Sequence, residues 1–180
     1  MVYSCFTLFS CLSRHNLSPN IFYHNSFNLS RQRTVPCLPL SSAIFLEIGE
    51  NENATRDFMR GFASMLLNEG FTPGFKANTD AVFDFDREYS RGMQTDKDVF
   101  EKCLIWAVSP SLAEFDRVTT THLIHPDNWT PFAPSGITRQ DIAIWQYGKN
   151  CHPIADDSGK ETTFNVNLVR DAKIIIEKMF

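Results

Sequence analysis

At 180 residues the chain has room for one domain, with or without a tail. Its hydrophobic share of 43% and charged share of 21% are ordinary for a globular protein, and no apolar run is long enough to span a bilayer. A net charge of -4 gives no reason to expect nucleic acid or an anionic membrane as a partner.

The averages conceal a division along the chain. All 21 acidic residues lie from Glu47 onward. Residues 1–46 hold Arg14, Arg31 and Arg33, eight serines and three of the five cysteines. A transit-type presequence has this acid-poor composition, but the arginines make no amphipathic face. A secretory signal would use Phe6 to Leu12 as its apolar part, yet no Lys or Arg precedes it. The reading preferred is that residues 1–42 are foreign to the domain, a non-homologous or poorly ordered segment, because Pro36, Pro39, Ser41 and Ser42 end it abruptly before a regular pattern begins. The domain itself is expected over residues 43–180. Cys103 and Cys151 should be free thiols, since on parallel strands they would sit about a strand length apart, roughly 17 Å and beyond disulfide reach.

Ile44 to Ile48 reads as a strand with one acid, Glu47, near its carboxyl end. Asn53 or Thr55 can cap a helix carrying Phe58, Met59, Phe62, Met65 and Leu66 at helical spacing, with Gly70 as its stop. Phe71 to Ala77 is the next strand and runs into Asn78-Thr79-Asp80. Strand, helix and strand in so few residues predict a βαβ unit with parallel strands. Residues 81–95 read as a polar, solvated loop bearing Asp84, Asp86 and Glu88. Asp96 to Lys102 suits a short helix, and Leu104 to Val108 a third strand. The connection from Thr119 to Arg139, with three prolines, predicts an ordered surface excursion.

Ile142 to Gly148, Ile-Ala-Ile-Trp-Gln-Tyr-Gly, then reads as a buried central strand delivering Trp145, Gln146 and Tyr147 to its carboxyl end. Phe164 to Leu168 can form a last strand, and Val169 to Phe180 a closing helix. Strands alternating with helices or long loops predict a parallel sheet with covering helices. No Gly-rich phosphate loop follows any strand, which weakens a nucleotide-binding version. His122, His125, Asp127 and Cys151-His152 match no compact Cys/His module, so no metal site and no cofactor are expected.

Phe45-Leu46-Glu47-Ile48, Gly74-Phe75-Lys76-Ala77-Asn78-Thr79, Leu104-Ile105-Trp106-Ala107, Trp145-Gln146-Tyr147 and Asn165-Val166-Asn167 follow one another in an order that resembles the carboxyl half of the glycoside-hydrolase-like (β/α) barrels. That family includes the Chalaropsis-type lysozymes and their uncharacterised relatives, and the likeness is closer to the latter. The resemblance covers about residues 43 to 170. It implies an α/β fold, a partial TIM (β/α) barrel of about the last five strands. It also implies a glycan-cleaving domain acting on a cell-wall polysaccharide such as peptidoglycan, and an extracellular or cell-wall location. Glu47, Glu50 and Asp80 are the candidate catalytic carboxylates. Asn78, Trp106, Gln146, Tyr147, Asn165 and Asn167 are the candidate glycan-binding residues. Trp106, Trp129, Trp145 and Tyr147 would stack on sugar rings where they face a cleft, burial being the equal alternative.

Two departures from the family pattern keep a second reading open. The family strand carries two acids separated by one residue, about 6.6 Å apart on one face, as a pair sharing one glycosidic bond requires. Here Glu47 matches the first, but Gly49 takes the place of the second, and Glu50 lies out of phase. A full barrel also needs roughly 250 residues. The alternative is therefore a non-catalytic carbohydrate-binding domain, or a truncated remnant of the barrel. An incomplete barrel would have open sheet edges that invite self-association.

Overall fold

The computed structural model describes residues 5–8, 43–49, 54–112, 117–118, 128–153 and 163–170. The strands are β1 (Cys5–Leu8), β2 (Ala43–Ile48), β3 (Thr72–Asn78), β4 (Leu104–Val108), β5 (Arg117–Val118), β6 (Ile142–Pro153) and β7 (Phe164–Val169). The helices are α1 (Arg56–Asn68), α2 (Asp84–Thr95) and α3 (Lys97–Phe100). Glu50, His122, His125 and Asp127 lie outside the described residues, as do residues 171–180, where a closing helix is expected.

Four strands, β2, β3, β4 and β6, pair side by side in parallel. The βαβ expectation thus holds, with Leu46 opposite Phe75 and Phe75 opposite Ile105. The short β5 joins β6 in parallel as well, and the direction changes only at β1 and β7. β1 pairs antiparallel with β2, and β7 pairs antiparallel with β6 rather than parallel to it. The fold is a mixed α/β one with a mostly parallel sheet and covering helices.

The helices lie on one face of this sheet, and Phe75 of β3 is where they meet. Its ring is within 6.1–6.3 Å of Phe62 from α1, Phe85 and Tyr89 from α2, and Phe100 from α3. Leu46, Ile48, Ala77, Ile105 and Ala107 extend the same core along the strands. Burying this aromatic cluster supplies the main driving force for folding. Thr55 caps α1 through its side-chain oxygen, which accepts from the amide of Phe58.

Residues 84–95 form α2, not a loop. Phe85, Tyr89 and Gly92 recur at helical spacing on its buried side, and the acids have separate tasks. Asp84 pairs with Arg87, Asp86 accepts from the amide and hydroxyl of Ser135, and Glu88 accepts from the amide of Arg56 at the start of α1. Cys103 and Cys151 are buried thiols outside any disulfide, as expected, and donate to the carbonyls of Val99 and Lys149. Among the described residues no helix is long and apolar enough to cross a membrane.

Candidate functional site

Side chains two apart along a strand share a face, so the positions facing away from the helices follow from the register. They are Phe45 and Glu47 on β2, Gly74, Lys76 and Asn78 on β3, and Leu104, Trp106 and Val108 on β4. Glu47 lies directly opposite Lys76, and Lys76 opposite Trp106. Between β4 and β6 the register slips: Ile105 faces Ile142, but Trp106 faces Ile144. This bulge inverts the alternation of β6 beyond it. Gln146 joins the polar face, while Trp145 and Tyr147 turn into the core beneath the helices. Gln146 then stands directly opposite Asn167 of β7.

The result is a continuous polar row. Lys76 Nζ donates to Glu47 Oε1 at 2.8 Å and stands 5.0 Å from the centre of the Trp106 ring. The ammonium is thus held by a carboxylate and by an aromatic face together. Trp106 Nε1 donates to Asn167 Oδ1 at 3.0 Å, and Asn167 Nδ2 donates to the carbonyl of Asn165. Asn165 Oδ1 accepts from the amide of Asn150, whose φ of 52° lies in the left-handed region, so its side chain steadies an irregular stretch of β6. The Phe45 ring meets Trp106 edge to face at 5.6 Å. It can lie there because Gly74, beneath it, has no side chain: a Cβ at that position would fall 2.5 Å from the ring.

The burial within the row is uneven. The Lys76 side chain is 5% exposed and that of Glu47 34%. Gln146 is buried, and its Oε1 has no hydrogen-bond partner among the described residues. Strands β2, β3, β4, β6 and β7 carry one acidic residue between them, Glu47.

Two candidate residues depart from the row. Tyr147 is 1% exposed and packs against Trp145, which packs in turn against Trp129, so none of these three rings is open to a sugar. Adjacent strand residues point to opposite faces, and Gln146 and Tyr147 therefore cannot share a site. Asp80 lies just past β3, where its Oδ1 accepts from the amide of Val82, while Asn78 Oδ1 accepts from the amide of Asp80. Both side chains shape the turn that leaves β3.

Two residues at this end had no place among the sequence candidates. Lys76 is one, and its signal was a charged residue in the middle of an otherwise apolar strand. Phe132 is the other. Its carbonyl accepts from the Thr79 hydroxyl at 2.8 Å and its amide donates to Ser109 Oγ at 3.3 Å, which ties the loop to the carboxyl ends of β3 and β4. Its ring is nevertheless 51% exposed. Trp129 anchors the same loop, donating from Nε1 to the carbonyl of Arg139.

No family model matches the chain, and no curated protein matches it in sequence. The crystal structure of an uncharacterized B. stearothermophilus protein is similar to it, with a TM-score of 0.60 at 17% identity over 79% of this chain. This chain spans 58% of that protein. A likeness at that identity is one of fold alone, and it leaves the activity to be argued from the polar row.

Proposed function

We propose that the chain is a glycoside-hydrolase-like domain that binds a glycan of the cell-wall polysaccharide type, such as peptidoglycan, without cleaving it. In this reading the parallel strands correspond to a segment of a (β/α) barrel, and the polar row lies on what would be the barrel's inner face. Indole, amide, ammonium and carboxylate groups side by side suit a sugar, which offers an apolar ring face and a rim of hydroxyls.

The observation that carries the non-catalytic form is the engagement of Glu47. It is the one acid on the strands of the row, and it forms an ion pair with Lys76 at 2.8 Å. A carboxylate engaged by an ammonium can accept a hydrogen bond and give electrostatic support, whereas glycosidic cleavage needs a second carboxyl group at about 5 to 9.5 Å.

A hydrolase remains the second reading because Glu47, at the carboxyl end of β2, is one-third exposed and within reach of a substrate. It would serve as the acid or electrostatic carboxylate, with Glu50 as the sequence candidate for its partner.

Titrating soluble peptidoglycan fragments against tryptophan fluorescence tests the proposal. Saturable quenching or enhancement is expected, lost in Trp106→Phe and kept in Trp129→Phe, with no new reducing ends over long incubation. Release of reducing ends that stops in Glu47→Gln would favour the hydrolase, and the absence of any binding would end both readings.

A further inference from the structure

We propose that the outer side of helix α1 is an interface between two copies of this chain, joined antiparallel about a two-fold axis between Gly61 and Phe62. The buried side of α1 carries Met59, Ala63 and Leu66. A helix that packs on a sheet by one side normally shows water a polar one. Helix α2 does so, since its exposed residues are Asp84, Arg87, Arg91, Gln94 and Thr95. Helix α1 does not. Phe58 is 40% exposed and Met65 55%, one on each side of exposed Gly61 and half-buried Phe62. These four positions follow one another at i, i+3, i+4 and i+7, so they form one stripe along the helix.

The stripe is its own complement, which argues for a second copy and against an unrelated partner. Gly61 has nothing within 4 Å of where a Cβ would stand, and the Phe62 ring is within 6.1 Å of Phe75 in the core. The middle of the stripe is therefore low, and two helix backbones can approach closely there. With the copies antiparallel, Phe58 of each then meets Met65 of the other, a flexible thioether against an aromatic ring. The charges bordering the stripe raise no barrier. Asp57 is paired with Arg56, and Arg60 stands 3.9 Å from Asp96. The antiparallel arrangement also holds the two Asp57 carboxylates about 13 Å apart along the axis, whereas a parallel one would set them side by side.

One helix side from each copy is a small interface, well under the roughly 800 Å² per partner of a standard one. Association is therefore weak, with a dissociation constant on the order of 100 μM. Helix α1 packs on the opposite side of the sheet from Glu47, Lys76 and Trp106, so the dimer leaves both polar faces open. On the glycan-binding reading, two such faces on one particle hold a repeating polymer more firmly than either does alone.

Sedimentation equilibrium of the full chain from about 10 μM to about 1 mM tests the interface. A reversible monomer–dimer equilibrium that stops at two copies is expected. Met65→Lys should weaken it at least about ten-fold, while its melting temperature at low concentration stays that of wild type. Gly61→Leu separates a fitted interface from a merely sticky one. It adds apolar surface, so a sticky face would associate more strongly. It also fills the low middle of the stripe, so the dimer should weaken at least about ten-fold. Val82→Lys, at an apolar residue 81% exposed and away from α1, should leave association unchanged. A wild-type chain that stays monomeric to about 1 mM overturns the proposal. So do association that Met65→Lys leaves intact, assembly beyond the dimer, a stronger dimer in Gly61→Leu, and equal weakening by Val82→Lys.

Discussion

Glu88, on α2, accepts a hydrogen bond from the backbone amide of Arg56, the first residue of α1, at 3.1 Å. One helix thus caps the start of another that lies 32 residues away in sequence. This bond, assisted by Arg87 and Arg91 and opposed by burial, holds the Glu88 carboxyl below its ordinary range. A carboxyl depressed in the folded state contributes stability above its unfolded pKa, near 4.3, and loses that contribution as pH falls through the lower folded value. Glu88→Gln is expected to lower stability by about 1 to 2 kcal/mol at neutral pH. The difference from wild type should begin to shrink as pH falls past about 4.3 and vanish only below the lower folded value. Chemical denaturation across that range checks both.

The Glu47–Lys76 pair should respond unequally to removal of its two members. Lys76 is the buried one, so Glu47→Gln takes the negative charge away from an ammonium with little access to water. A loss of about 2 to 3 kcal/mol is expected, below the range for fully buried pairs because Glu47 is partly hydrated. Lys76→Met leaves a carboxylate that can turn to solvent and should stay within about 1 kcal/mol of wild type. Equal losses, measured by urea denaturation, would show that the burial asymmetry does not govern the pair.

Two helical glycines should move stability in opposite directions. Gly61 on α1 is exposed, with nothing within 4 Å of where a Cβ would stand. Gly61→Ala should therefore stabilise by about 1 kcal/mol, the ordinary helix-propensity difference. Gly92 on α2 lies against the ring of Phe100, where a Cβ would overlap it. Gly92→Ala should destabilise by about 1 to 3 kcal/mol, because Phe100 is fully buried and cannot withdraw. Melting temperatures of the two variants decide the matter.

Phe132→Ala removes a half-exposed ring whose loop is held through backbone atoms. Its effect on stability should be within about 0.5 kcal/mol. If the ring stacks on a sugar at the rim of the sheet, affinity for peptidoglycan fragments should fall about five- to ten-fold. Unchanged affinity in a fluorescence titration would remove Phe132 from the site.

The parallel core was legible in the sequence because its strands are apolar runs separated by one strongly periodic helix. Leu104–Val108 is a strand over the same residues as its apolar run, and Thr55 is a recognisable cap. Helix α2 was not legible because its exposed side is dense with charge and its buried side carries only Phe85, Tyr89 and Gly92 beside Glu88, a sparse apolar stripe. The site was legible as to which end of the sheet it occupies, since that follows from strand direction. It was not legible as to face beyond Ile142. Counting alternate residues along β6 from Ile142 would send Trp145 and Tyr147 to the polar face and Gln146 to the core. The single extra residue in the bulge reverses this assignment, and a bulge in such a run has no signature in residue type. The antiparallel direction of β7 was equally hidden, because pairing direction depends on the connection and not on the strand's own residues.

Lys76 and Glu47 cancel one another within 2.8 Å. Seen from a few ångströms away, the pair is therefore a local dipole with almost no net charge. Such a pair exerts little long-range pull, and added salt has little in it to screen. The pair itself should then add little to the salt dependence of association, so that Glu47→Gln, which leaves the Lys76 charge uncancelled, should be the variant whose ligand affinity becomes sensitive to ionic strength.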